Sequence, residues 1–252
     1  PFGFRGDDKP HVVFMIGENE YDTASTLPLF AQKYLEYRGI RCTFVHVNKD
    51  DPDNFAGIEA LKNADLLFLS VRRRTPPKSQ LDLIRAHLAK GKPLVGIRTA
   101  SHAFDHEPPS QHHARWTQFD DEILGVDYRQ HYGNRPPKDP ATVIQTTVSG
   151  TKHPILTGVT QDAFEAKSHL YKNKLVATTV TVLMTGTLSG QADISEPVAW
   201  TNEVNGSRIF YTSLGGVGDF SLPAFQRLLL NGVLWALDRP LPPADPRVVA
   251  RK

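Results

Sequence analysis

Residues 92–104 read KPLVGIRTASHAF. The run 93–97 is apolar throughout, the pattern of a strand buried on both faces of a parallel sheet. The segment just after it is short and chemically dense: Arg98, Thr99, Ser101 and His102 lie within five residues. Some α/β enzymes carry a nucleophilic cysteine on the sharp turn at such a strand end. Here that position holds Arg98.

Working outward, three more apolar runs precede it: HVVFMIG (11–17), RCTFVHV (41–47) and DLLFLSV (65–71). Helical patterns separate them. Leu27, Phe30, Tyr34 and Leu35 share one face that ends at Gly39. A short helix is expected near 54–63. Thr75 is placed to cap a helix with Pro76 and Pro77 in its first turn, and Leu81, Ile84 and Leu88 form its buried stripe up to Gly91. Alternating strands and helices predict an α/β fold with a doubly wound, mostly parallel sheet. Beyond residue 125 the chain turns β-rich, with runs at 127–134, 141–148, 178–186, 196–202 and 207–215. The last two are joined by EVNG, a hairpin-like link. A final helix is expected over 222–237. The expected division is a lead-in (1–9), one domain (10–239) with a β-rich C-terminal elaboration, and a proline-rich tail (240–252).

The chain has 252 residues and a net charge of +2. That balance argues against a nucleic-acid partner, and no basic stripe accompanies the short run Arg72–Arg74. No apolar stretch is long enough to span a membrane. The single cysteine, Cys42, reads as a buried inert thiol. The sequence begins at Pro1 without a methionine, which suggests a trimmed chain and allows a removed export signal. A periplasmic or secreted location is therefore expected, with a cytoplasmic one left open.

Ligands of open α/β sheets bind beyond the carboxyl ends of the strands. That rule selects 18–23, 48–51, 71–75 and 98–106. A guanidinium at Arg98 stays protonated and can fork onto a carbonyl or hydroxyl oxygen; Arg72 is placed comparably, and a structural ion pair is the competing reading for Arg98. Glu18 and Glu20 could act as proton carriers or ligand contacts, whereas Asp22 suits a helix N-terminus. His102, His131 and His169 are candidate polar site residues. His106, His112 and His113 read as solvated loop residues. Tyr21, Tyr132 and Tyr171 could stack on sugar rings or donate phenolic hydrogen bonds. Ser101 precedes His102 directly, and adjacent side chains are expected to point apart. Three neutral imidazoles could hold a zinc ion, but no H-E-x-x-H spacing is present, so zinc is an open possibility and no cofactor is assigned. Glycine-rich phosphate loops and G-x-S-x-G are absent. GGVG (215–218) could cradle an anion with its N–H groups or simply turn the chain.

Taken in order, GENEYDTASTLPLFA, GKPLVGIRTASHAF, HPILTGV, SHLYKN, EPVAWTNEVNGSRIFYTSLGGVGDF and FQRLLLNGVLWAL resemble the ThuA-like (trehalose utilisation) family over residues 11 to 238. The resemblance implies a flavodoxin-like domain of the class I glutamine amidotransferase-like type and a carbohydrate as small-molecule partner. Some members are exported and labelled glycosyl hydrolases. Its segments carry over to Arg98, Ser101 and His102, and to His169 and Tyr171. Two departures stand out. Gly216 replaces a histidine of the family's glycine–histidine pair, and GIR replaces the commoner GLH, which lowers the case for a metal.

Two readings of function arise. In one, the protein processes a glycoside or keto-sugar, with His102, Glu20 and Arg98 as catalytic groups and Glu18, Tyr21, Arg72, Ser101, His131, Tyr132, His169 and Tyr171 as substrate contacts. In the other, it is a non-catalytic sugar-binding or assembly module. A glutamine amidotransferase activity is excluded, because the one cysteine lies on the second strand. Oligomeric state is not legible.

Overall fold

The computed structural model describes residues 9–108 and 110–244. The expected lead-in (1–9) and tail (240–252) thus fall largely outside the described residues. A single nine-stranded sheet organises the rest, in the order β2-β1-β3-β4-β11-β10-β9-β6-β7. Its strands are β1 (His11–Gly17), β2 (Arg41–His46), β3 (Leu66–Val71), β4 (Leu94–Ile97), β6 (Thr142–Thr146), β7 (Phe164–Ala166), β9 (Thr181–Leu188), β10 (Gln191–Val204) and β11 (Ser207–Thr212). A separate antiparallel pair joins β5 (Val126–His131) to β8 (Tyr171–Leu175).

The sheet has two halves. From β2 to β11 all neighbours are parallel. From β11 to β7 all are antiparallel. Every residue of β1, β3 and β4 is buried, because helices cover both faces of the parallel half. Alternation along β1 divides the core. Val12, Phe14 and Ile16 join the layer containing Leu27, Phe30 and Tyr34 of α1 (Thr23–Tyr34) and Phe225, Leu229 and Val233 of α3 (Pro223–Ala236). Val13 and Met15 face the opposite layer with Leu81 and Ile84 of α2 (Lys78–Ala89).

The expected elements hold with three differences. The helix near 54–63 is only a 3₁₀ stretch, Ile58–Asn63, entered through Gly57 at φ 89°. Thr75 does not cap α2: the helix starts at Lys78 after Pro77, and the Thr75 hydroxyl is buried with no partner. Its N–H instead donates to the Asp53 carboxylate. Two short strands, β7 and β8, carry no apolar run and escape the pattern reading. The EVNG link is a tight hairpin turn with Asn205 at φ 52° and Gly206 at φ 80°, the sign that two-residue hairpins require. Cys42 is half-buried, and burial pushes its thiol up to about 12.

Candidate functional site

The β4 strand ends in a sharp turn. Arg98 sits at φ 49°, a left-handed conformation that costs a non-glycine residue about 1–2 kcal/mol. Surrounding contacts hold it there. Its carbonyl accepts from the buried Tyr211 hydroxyl. Its guanidinium donates through Nη1 to the carbonyls of Ser213 (2.6 Å) and His169 (3.0 Å). The rings of Tyr171 and Tyr21 lie over its charge, at 4.0 and 4.7 Å to their centroids. Arg98 is 1% exposed. Its Nη groups donate to two carbonyls and the Tyr21 hydroxyl and so are not free to fork onto a ligand, while Nε is buried without a partner among the described residues; Arg98 organises the wall behind the site.

Around this cation stand imidazoles and phenols from both halves of the chain. His102 closes the 3₁₀ turn Arg98–His102, and its ring stacks on Tyr128 at 4.3 Å. His131 and His169 pack at 4.3 Å, and His169 Nε2 lies 3.4 Å from the Tyr21 hydroxyl. His131 pairs with Tyr171 across β5 and β8, so register brings these two candidates together. Contrary to the sequence expectation, Ser101 and His102 do meet: Ser101 Oγ is 3.1 Å from His102 Nδ1, because the tight 3₁₀ turn folds both inward. Ser101 is buried and serves to orient the ring.

Other candidates have structural partners. Both Glu18 carboxylate oxygens accept from the segment entering α1, namely the N–H groups of Glu20, Tyr21 and Thr23 and the Thr23 hydroxyl. Glu18 thus builds a helix start and is not placed to contact a ligand. Glu20 is exposed and pairs with Arg72 at 2.9 Å on the rim. Tyr132 follows β5, and its hydroxyl donates to Glu196 while Lys172 covers its ring. It does not join the cluster. Asp22 is the residue before α1, as expected, and its carbonyl accepts from Ser25 and Thr26.

The GGVG segment combines the two readings the sequence offers, a turn and an anion cradle. The N–H groups of Gly215 and Gly216 do converge on an anion, but that anion is the chain's own Asp219 carboxylate, at 2.8 and 3.1 Å. Asp219 is fully buried and also accepts from the N–H groups of Lys167 and Ser168 and from the Ser168 hydroxyl. It ties the turn after β11 to the residues just before His169. Gly216 is small for this reason, since a Cβ there would lie 2.7 Å from Ser168 Oγ.

Beside His102 opens a cavity of about 200 Å³ lined by Ser101–Asp105, Trp116, Thr117, Phe119, Asp120, Asp121, Asp127 and Tyr128. A π-helical turn, Asp120–Leu124, carries the acidic wall. Trp200 and Asn202 of β10 fasten that turn by donating to the carbonyls of Leu124 and Ile123. Trp116, Asp120 and Tyr128 are absent from the sequence candidates, because no motif marks them and only the fold carries them to His102.

Burial sets the electrostatics. It pushes His102 and His169 each down to about 3, with nearby arginines adding to the effect, and it lowers His131 as well. All three imidazoles are neutral near pH 7. Burial raises Asp120 to about 6 and Tyr128 to about 12. Among the described residues these histidines do not bring three ligand atoms together within reach of one ion. The carboxylates of Asp120, Asp121 and Asp127 do approach within 4.8 Å, but Asp127 is neutralised by Arg129 and Asp120 accepts the Tyr128 N–H. We read them as cavity wall.

A family model described as ThuA, trehalose utilisation, matches residues 11–236. A comparison with curated proteins finds no match. Among solved structures, a ThuA-like protein of Bacteroides uniformis superposes with a TM-score of 0.66 at 16% identity, over 94% of this chain and 95% of that one. One from Parabacteroides merdae gives 0.65 at 16% identity, over 91% and 90%. Agd3, described as a carbohydrate deacetylase, gives 0.62 at 12% identity, over 91% of this chain but 32% of its own. At these identities the structural likeness is one of fold, and it agrees with the family match. The chain belongs to the ThuA, or trehalose-utilisation, family.

Proposed function

We propose that the protein processes a carbohydrate, a glycoside or keto-sugar, at the carboxyl end of β4. The observation that carries this reading is the cluster of neutral imidazoles, His102, His131 and His169, interleaved with Tyr21, Tyr128 and Tyr171 around the buried Arg98 charge. Phenol and imidazole rings offer flat faces to a sugar and polar edges to its hydroxyls. A neutral imidazole can accept a proton or donate one hydrogen bond to a carbonyl. The buried guanidinium supplies a fixed positive field in which negative charge on a substrate oxygen is stabilised. His102 is the proton carrier in this reading, held at Nδ1 by Ser101 with Nε2 free of protein partners among the described residues. The family's description points to the same substrate class.

The test is turnover. Purified protein is incubated with trehalose, maltose, sucrose and their 3-keto derivatives, and products are resolved by chromatography while calorimetry measures binding. His102→Ala and His169→Ala are expected to lower turnover at least 100-fold. Binding of a sugar without turnover by the wild type favours a non-catalytic sugar-binding module instead.

A further inference from the structure

We infer that the cavity beside His102 is a sugar-ring subsite and that Asp120 is its proton donor, acting with His102 as acceptor. This rests on the proposed carbohydrate reading and goes beyond it by naming a second catalytic group on a different part of the chain. Three observations carry it. First, the cavity of about 200 Å³ is lined by both residues, so one ligand can lie between them. Second, His102 is only 7% exposed and lines the cavity, its Nδ1 engaged by Ser101 Oγ, which leaves Nε2 as the ring's other hydrogen-bonding atom. Third, the two are linked mechanically. Tyr128 donates its N–H to Asp120 Oδ2 at 2.9 Å and stacks its ring on His102, so one residue of β5 sets both groups.

The wall has the chemistry of a polyol site. Trp116 contributes an aromatic ring with Arg85 over one face at 4.6 Å and its indole N–H fixed by Glu122 at 2.6 Å. Asp105, Asp121 and Asp127 supply acceptors for ligand hydroxyls. The titratable and charged groups around Asp120 are Asp121 on its own turn, Asp127 with its counter-ion Arg129 and Tyr128 on β5, Tyr211 on β11, and Asp105 and His102 after β4. Burial and the nearby Asp121 favour its protonated form, and burial together with the arginines around His102 favours the neutral imidazole. Environments that push two titrating groups apart in this way suit one as acid and the other as base.

The step balances with water as co-reactant. Asp120 gives its proton to the glycosidic oxygen as the carbon–oxygen bond breaks with its electron pair on oxygen. Water adds through its oxygen to the carbon, and its released proton passes to His102 Nε2. One glycoside and one water become two hydroxyl products, and transfer from His102 back to Asp120 restores the start. The carboxylate and imidazolium formed together in one cavity stabilise each other.

The experiment uses the full chain with trehalose, sucrose, maltose and cellobiose as probes. Carboxyl carbon NMR follows Asp120, and the indole N–H of Trp116 reports occupancy. A sugar that shifts the Trp116 signal and moves the Asp120 titration supports the subsite. Asp120→Asn is then expected to lower kcat at least 100-fold, leave KM within about threefold and abolish the loss of activity on the alkaline side of pH 6. Asp120→Glu, which keeps the proton, is expected to recover part of it. If none of the four sugars moves either signal, or if Asp120→Asn keeps wild-type kcat and pH profile, the inference is overturned while turnover by the wild type leaves the carbohydrate reading standing. Sugar binding without any wild-type turnover overturns the proton-donor role together with that reading.

Discussion

The parallel and antiparallel halves of the sheet do different work. The parallel half is a rigid shelf. Its central strands are buried on both faces, and their ends present Tyr21, Arg72, Arg98 and His102 along one edge. The antiparallel half holds less of the fully buried core. β9 and β10 mix buried and half-buried positions. The separate β5–β8 pair brings His131, Tyr171 and, just before β8, His169, while β10 of the antiparallel half fastens, through Trp200 and Asn202, the turn that carries Asp120. Neither half holds a complete site. A cleft at a seam can therefore change its ligand contacts in one half while the other keeps its core, which separates stability from specificity.

The broadest way to test that division is pH, because histidines with depressed values sit on the parallel half and beside β8. His87 of α2, His102 at the end of β4 and His169 before β8 are held down to about 4, 3 and 3. A folded-state value below the ordinary 6.5 makes the unfolded chain bind protons first. Stability is then fully present above pH 6.5 and is lost as pH falls toward 3, by on the order of a few kcal/mol. Asp120 works in the opposite sense: its raised value weakens the fold as pH rises from 3.8 to about 6. With three histidines against it, the net expectation is a lower melting temperature at pH 5 than at pH 7. A flat melting profile across that interval contradicts the assigned burial.

Removing the tie between the halves comes next. Asp219→Ala removes the carboxylate that accepts from the N–H groups of Lys167, Ser168, Gly215 and Gly216 and from the Ser168 hydroxyl, leaving Gly216 only Ser168 Oγ, and is expected to cost about 3 kcal/mol or more in urea unfolding. Ser168→Ala, which leaves the carboxylate in place, should cost about 1 kcal/mol. If the two variants lose stability equally, Asp219 is not the tie between the halves.

Within the parallel half, Gly232 of α3 packs directly on β11. A Cβ there would lie 2.2 Å from the Phe210 ring, so Gly232→Ala is expected to lower stability by about 1–3 kcal/mol through overpacking. Gly190, in the turn between β9 and β10, has open space around its Cβ position and only a positive φ of 76° against substitution. Gly190→Ala should cost less, about 1 kcal/mol. Equal losses would show the shelf to be more yielding than its packing implies.

The smallest effect belongs to the rim. Arg72→Ala breaks the pair of a half-buried arginine with the exposed Glu20 and should change stability by less than about 1 kcal/mol. It removes one of the charges that depress His102, so the His102 titration, followed by NMR, should move upward. No movement would place Arg72 outside the site's field.

How much is legible in the sequence depends on the range of each interaction. The buried strands and α1, α2 and α3 announce themselves by local periodicity, and KPLVGIRTASHAF marks the strand end with its sharp turn at Arg98. His102, His131, His169, Tyr21 and Tyr171 are named by residue type and placement, and the fold assembles them. Glu18 and Tyr132 are misplaced by the same reading because a side chain's partner is not a property of its neighbours in sequence. Asp219 and Asp120 escape it for that reason too: Asp219 acts on residues 51 and 52 positions away, and Asp120 reaches the site only because β10 fastens its turn.

The sequence alone thus determined the parallel α/β core, the absence of a cysteine at the turn after β4 and the family, since these rest on local pattern and on ordered motifs. Tertiary structure decided which groups share a cavity, which carboxylate fills the glycine turn and which imidazoles stay neutral. Those outcomes depend on burial and on contacts between distant segments, and both arise only when the two halves close on each other.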